Sequence, residues 1–251
     1  TTGKHVEFTS RRRQTERADH ALRTVAGLGD LPVIHMGDLV QEFPERPGFV
    51  QAVDEALAQL AACGVAPRQV AGNHDVGDKP DPTMPADWVT PAYLDNYHRR
   101  FGPSWRSWNV DDLHFVVLNS QILNSGLAAE GEQAAWLEED LHAHAGQRTF
   151  LFLHLPPYLY RPDETGLGHY DNIDEPARSW LLDLVRGHRV EMLFAAHIHW
   201  AFYNEIDAPT ISSSTSAKSR TSYYTVPSTS FTRPGSSEMF SSPPPPEQGR
   251  D

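Results

Sequence analysis

"EMLFAAHIHW", residues 191–200, is an apolar run that ends in two histidines one residue apart. In an extended chain that spacing puts His197 and His199 on one face. Three other runs share the β-branched or aromatic character of this one: "LPVIHMGDLV" (31–40), "LHFVVLNS" (113–120) and "TFLFLHLP" (149–156). Each reads as a strand buried on both faces rather than a half-exposed one, because apolar residues follow one another without alternation.

Helical stripes separate these runs. Ala18, Leu22, Val25 and Leu28 recur at helix spacing, as do Phe49, Val53, Leu57 and Leu60, with Gly64 placed as a C-cap. Ala134, Leu137 and Leu141 form a third stripe closed by Gly146, and Leu181, Leu184 and Val185 a fourth closed by Gly187. Strand alternating with helix predicts an α/β layered fold. Residues 76–112 break the alternation. "VGDKPDPTMPADWVTP" is proline-rich and irregular, and too long for a simple connection, so it predicts a functional loop.

Beyond Asp207 the chain is crowded with Ser, Thr and Pro. "SYYTVPSTSF" reads as a strand there, while the last dozen residues read as linker. The expected division is a domain over 1–207 and a Ser/Thr/Pro-rich segment over 208–251 that holds one or two closing strands before the linker.

The net charge of −12 speaks against attraction to duplex nucleic acid or to anionic membranes. A phosphate substrate stays open, because bound divalent cations reverse the field inside a cleft. No apolar run reaches the roughly 18 residues that span a membrane. The single cysteine, Cys63, sits in a helical stretch and reads as a small buried residue. The chain opens at Thr1 without methionine and closes on "PPPPEQGRD", so a piece of a longer protein is expected. A soluble chain is expected, with the cytoplasm as the favoured compartment.

Polar residues cluster where the apolar runs end. Asp38 follows "VIHMG", Asn73, His74 and Asp75 follow "VAG", His154 follows "FLFL", and His197 with His199 follows "LFAA". Ligands of open α/β sheets bind beyond the carboxyl ends of the strands, so these residues can converge. Taken singly each has another reading. Asp38, Asn73 and Asp75 could serve as turn formers or caps, His154 as a hydrogen-bonded core histidine, and the HxH pair recurs in unrelated zinc enzymes.

The order of the four clusters resembles the calcineurin-like metallophosphoesterase family. It rests on "GD" at 37–38, "GNHD" at 72–75, the histidine of "LHLPP" at 154 and "HIH" at 197–199, and covers about residues 15–205. "FGPSWRSW", "LHFVVLNSQ" and "WLEEDL" look like the branch whose members act as phosphoprotein phosphatases. Cyclic-nucleotide phosphodiesterases and purple acid phosphatases share the metal motifs.

The resemblance implies an α/β/β/α sandwich and two metal ions, with Mn, Fe or Zn suited to imidazole and carboxylate donors. It implies that Asp38 bridges the ions and that Asn73, His154, His197 and His199 complete the metal set. It implies in-line attack on a phosphomonoester or phosphodiester by a metal-bridging hydroxide, with His74 as general acid and Asp75 hydrogen-bonded to the His74 ring. His169, on the "GLGHYDN" loop, is a weaker candidate for touching substrate, as are Asn119, Trp88 and Trp105.

Two departures accompany the resemblance. The family's first motif, an Asp-x-His on the first strand, has no counterpart, so that strand and part of one metal site are expected to lie upstream of Thr1. Ala196 stands where glycine usually precedes HxH. The partner expected is a phosphate ester, whether small molecule, nucleotide or phosphoprotein. Alternatives are a cyclic-nucleotide or nucleotide phosphodiesterase and, from another class, a degenerate module that binds without catalysis.

Overall fold

The computed structural model describes residues 13–165, 172–199, 201–206 and 221–225. Two sheets carry the fold. Strands β1 (Ile34–His35) and β2 (Arg68–Gln69) form a short parallel pair, with Ile34 beside Arg68 and His35 beside Gln69. The larger sheet holds β3 (Arg106–Val110), β4 (Leu113–Val117), β5 (Arg148–Phe152), β6 (Met192–Ala195), β7 (Tyr203–Ile206) and β8 (Thr221–Thr225). Its order is β3-β4-β5-β6-β8-β7. The four inner strands run parallel, and β3 and β7 close the edges antiparallel. The Ser/Thr-rich C-terminal segment therefore contributes β8, which inserts between β6 and β7.

The two sheets face each other through an aromatic layer. Ile34, Met36 and Val70 pack on Val117, Phe115, Phe150, Phe152 and Phe194. The Phe152 and Phe194 rings stack with centroids 5.0 Å apart. On its other face the large sheet buries Val116, Leu151, Leu153 and Leu193 against the Leu137 and Leu141 stripe of α5 (Ala128–Ala143) and the Leu181 and Val185 stripe of α6 (Ala177–Gly187). Helices α1 (Gln14–Ala26) and α2 (Phe49–Ala62) are tied by Gln59, whose amide donates to Asp19 and to the Thr15 carbonyl. The sandwich expected from the sequence is present as an α/β fold with parallel sheets. The smaller sheet has two strands among the described residues.

The helix ends show which glycine readings hold. Gly64 adopts φ +71°, and the bonds Gly64 N–H to Ala61 O and Val65 N–H to Leu60 O close α2 in a Schellman turn. Gly187, read as a stop, is instead the last helical residue of α6. The left-handed position falls on Arg189, with φ +55°.

The expected irregular stretch 76–112 holds up only over its first part. Helix α4 (Pro91–Phe101) and strand β3 occupy the rest. Thr90 accepts from the Tyr93 N–H and Pro91 fills the first turn, a strong N-terminal signal. Leu94 and Tyr97 then bury against Ala71, Val76, Val89 and Ile122. This cluster backs the four-residue helix α3 (Asn73–Val76), which carries the "NHD" residues.

Candidate metal centre

Four strand ends converge. β1 leads into Gly37 and Asp38, β2 into Gly72 and Asn73, β5 into His154, and β6 into His197. The ends are stitched together by the backbone: Val70 N–H donates to His35 O, Leu153 N–H to Phe194 O, and Ala196 N–H to His154 O. Ala196, in place of the usual glycine, is buried there.

Glycine at 37 and 72 is a packing requirement. A Cβ on Gly37 would lie 2.5 Å from Nδ1 of His154, and one on Gly72 would lie 2.7 Å from the Asp38 nitrogen and collide with its carboxylate. Asp38, His197 and His199 all sit at positive φ, between 56° and 67°. Three bulky polar residues in the left-handed region at one place mark strain held by the surrounding fold, as functional sites often show.

The carboxylate of Asp38 lies 3.2 Å from Nε2 of His154, and Nδ1 of His197 lies 3.3 Å from the same nitrogen. The three side chains present donor atoms within 4.8 Å of one another. Nδ1 of His154 bonds to the Met36 carbonyl at 2.7 Å, so that nitrogen carries the proton and Nε2 faces Asp38. Burial would push the Asp38 carboxyl up, but the charge and hydrogen bond of His154 outweigh it and hold the carboxyl well below its usual range. The same pairing overcomes burial at His154 and raises its pKa.

Asn73 supplies the sharpest sign of a missing partner. Its amide nitrogen donates to Asp78 at 2.8 Å, while its oxygen is buried and accepts nothing. A buried acceptor left without a donor costs about 1–3 kcal/mol, and a cation would satisfy it. Asp78, which also accepts from the Ala86 N–H, therefore fixes which end of the amide faces the centre. Sequence reading missed Asp78, although it lies only five residues past Asn73 in "GNHDVGD". Asp38, Asn73, His74, His197 and His199 line one cleft, with Phe43 and Pro85 as its apolar wall. His199 is exposed at the rim of this cleft, yet partial loss of water around its ring lowers its pKa. This donor set, oxygen plus imidazole, fits a metal ion.

The expected bond from Asp75 to the His74 ring is not made. The Asp75 carboxylate instead accepts the N–H groups of Gly72 at 2.9 Å, Asp38 at 2.8 Å and Leu39 at 3.2 Å. It is the clasp between the "GD" and "GNHD" loops. Burial and the charge of Asp38 push it up to about 6 despite those three donors. The His74 ring bonds through Nδ1 to the Gln41 carbonyl at 2.8 Å, and stacks on Phe43 with centroids 4.0 Å apart. The physical reason is reach: α3 points the Asp75 side chain back over its own N-terminus, away from its neighbour.

His169 lies outside the described residues. Asn119 is buried in bonds to Ser104, Gln121 and Gln133, and holds the turn after β4. Trp88 is 48% exposed and bonds to the Asp81 carbonyl, and Trp105 packs edge-on to His98. None of these three lines the cleft.

Such a group of oxygen and imidazole donors, carried on the loops after parallel strands of an α/β fold, is the arrangement of a candidate metal-binding site. The model of the calcineurin-like phosphoesterases matches residues 13–201, and the chain belongs to that family. Among curated relatives, the serine/threonine-protein phosphatase CPPED1 of Bos taurus is 28% identical over 193 residues, 72% of this chain and 58% of the relative. Purple acid phosphatase 13 of Arabidopsis thaliana is 31% identical over 134 residues, 51% of this chain and 23% of the relative. The chain thus spans little more than half of the CPPED1 protein it matches. Among solved structures, a purple acid phosphatase from yellow lupin (Lupinus luteus) superposes with TM-score 0.56 at 16% identity, over 84% of this chain and 39% of its own. PhoD superposes with TM-score 0.55 at 14% identity, over 86% and 54%. At these identities the likeness is one of fold.

Proposed function

We propose that the chain hydrolyses phosphate esters with metal ions held by Asp38, Asn73, His154, His197 and His199. The observation that carries this reading is the buried, partnerless oxygen of Asn73 beside the Asp38–His154–His197 group. When bound, metal ions there would polarise the phosphoryl oxygens and make water acidic enough to attack at neutral pH. Two ions suit the number of donors, with Mn, Fe and Zn as candidates.

The chain's own residues do the rest. The Met36 carbonyl and Asp78 orient His154 and Asn73, so that both donor atoms are aimed before any ion arrives. The bond from Nδ1 of His74 to the Gln41 carbonyl fixes the tautomer, leaving Nε2 to hold a proton in the cleft. In the protonated ring that nitrogen donates to the oxygen leaving phosphorus. Phe43 and Pro85 exclude water from one side. The kinship to a serine/threonine-protein phosphatase supports a phosphoprotein as the substrate.

Asp38→Ala is the test. Purified with Mn²⁺, the protein should bind metal and cleave nitrophenyl phosphate, and chelation should abolish cleavage until metal is returned. Asp38→Ala should lose bound metal by elemental analysis and lose turnover by about a thousandfold or more, as when a charge-stabilising group leaves a reaction centre. Metal content and rate like the unaltered protein's would refute the assignment.

A further inference from the structure

A second group of donors lies at the other end of the large sheet. His114 on β4 stands in register with Thr149 at the start of β5, about 16 Å along that strand from His154. Asp140, in the last turn of α5, and His144, which caps that helix, pack against His114. The donor atoms of these three side chains lie within 4.8 Å of one another, as those of Asp38, His154 and His197 do.

The likeness extends to the bonds that aim the donors. Nδ1 of His114 bonds to the Asn109 side-chain oxygen at 2.7 Å, as Nδ1 of His154 bonds to the Met36 carbonyl. Nε2 of His114 then faces Oδ2 of Asp140 at 2.8 Å, as Nε2 of His154 faces Asp38. An imidazole with one N–H serves only one of two oxygens, so a second proton or a metal ion belongs between Nε2 and the carboxylate. Ser107 donates to the other oxygen of Asp140 at 2.7 Å and holds the carboxylate in place. Nδ1 of His144 bonds to the Asp140 carbonyl at 2.7 Å, which leaves its Nε2 as a lone pair. Histidines that ligate metals carry an orienting bond of this kind on the other ring nitrogen. The two rings stack with centroids 3.7 Å apart. A proton would engage His114 alone, whereas one metal ion takes a lone pair from each ring.

We propose that His114, Asp140 and His144 bind a zinc ion, with water as the fourth ligand. Two imidazoles and a carboxylate are a donor set that zinc accepts. Ligand atoms around tetrahedral zinc stand about 3.3 Å apart, so the 2.8 Å gap between His114 and Asp140 widens by about half an ångström. Because a lone pair lies in the plane of its ring, the His144 ring also tilts out of the stack. Its side chain is 25% exposed, so the surface supplies both the entry for the ion and the room for that movement. The ion ties β4 to the end of α5, and the proposal does not depend on hydrolysis at the metal centre.

The test is the zinc content of the whole chain after equilibration with a slight excess of Zn²⁺. Elemental analysis should find one ion more per chain in the unaltered protein than in His144→Ala, whatever number the metal centre holds. His144→Ala changes a surface ring and keeps the buried His114–Asp140 pair, so it leaves the fold in place. Zinc should also raise Tm more in the unaltered chain than in this variant, because the ion binds only the folded form. Long-range ¹H–¹⁵N spectra locate the ion: Zn²⁺ should move the Nε2 resonances of His114 and His144 together. With Mn²⁺, His144→Ala should cleave nitrophenyl phosphate at the unaltered rate. Equal zinc in the two chains, or spectral shifts that leave His114 untouched, would show a proton only and overturn the site. Cleavage that falls in His144→Ala would put this residue in the service of the metal centre and overturn a separate site.

Discussion

His74 shows how far a single side chain depends on atoms that carry no sequence signal. Its neighbour Asp75 is turned toward three backbone N–H groups, and the ring is set by the Gln41 carbonyl and the face of Phe43. Any residue at 41 would supply that carbonyl, so its role is invisible in "GDLVQEF". Asp38, Asn73, His154 and His197, by contrast, are legible as a set because each follows an apolar run. A consequence follows for the rate. His74→Ala should retain metal and lower kcat by about a hundredfold or more, the usual worth of a positioned proton donor. Phe43→Ala removes the stack and part of the cleft's apolar wall but no donor atom, so it should leave metal content unchanged and lower kcat by a smaller factor. Metal analysis beside steady-state kinetics separates the two. Loss of metal in His74→Ala would make the ring a ligand rather than a proton donor.

Elements were legible in proportion to their burial. The runs that became β4, β5 and β6 announce themselves by unbroken apolar residues, and all three are inner strands of the large sheet. Edge strands β3 ("RSWNV") and β7 ("YNEI") mix polar with apolar residues and give no such signal. The run 31–40 yields only the two residues of β1, because the chain must turn at Gly37 to bring Asp38 over the centre. Helix α4 was hidden behind a proline-rich approach, yet "TPAYLDNY" contains its cap and its buried stripe. The cap is testable: Thr90→Ala removes the acceptor for the Tyr93 N–H and should destabilise the protein by about 1 kcal/mol. Thermal or urea unfolding reads the change. Since Leu94 and Tyr97 of this helix back α3, fraying there should also loosen metal binding. Thr90→Ser, which keeps the acceptor, should restore both.

At the scale of the whole molecule, burial of the small sheet sets part of the response to acid. His35 on β1 stands between Ile34 and Met36, which face the aromatic layer, so its ring takes the other face of the small sheet beside Gln69, with its Nδ1 buried and partnerless. Burial lowers its pKa from 6.5 and nearby His154 adds to the lowering, while Asp38 and a hydrogen bond with Gln69 oppose them. A histidine kept neutral by the fold takes its proton more readily in the unfolded chain. Its contribution to stability is complete above pH 6.5, and is lost as the pH falls from there through the lowered folded value. The loss can reach about 1.4 kcal/mol per pH unit while only the unfolded form is protonated. Melting curves of metal-free protein should therefore fall on acidification below 6.5, with the slope shallower in His35→Gln, which retains a hydrogen-bonding side chain but does not titrate. The comparison isolates His35, because both proteins share the acid response of Asp38, His154 and the remaining histidines. Parallel curves would show that the ring reaches water when protonated, and that the small sheet is open at β1 on the face turned away from the aromatic layer.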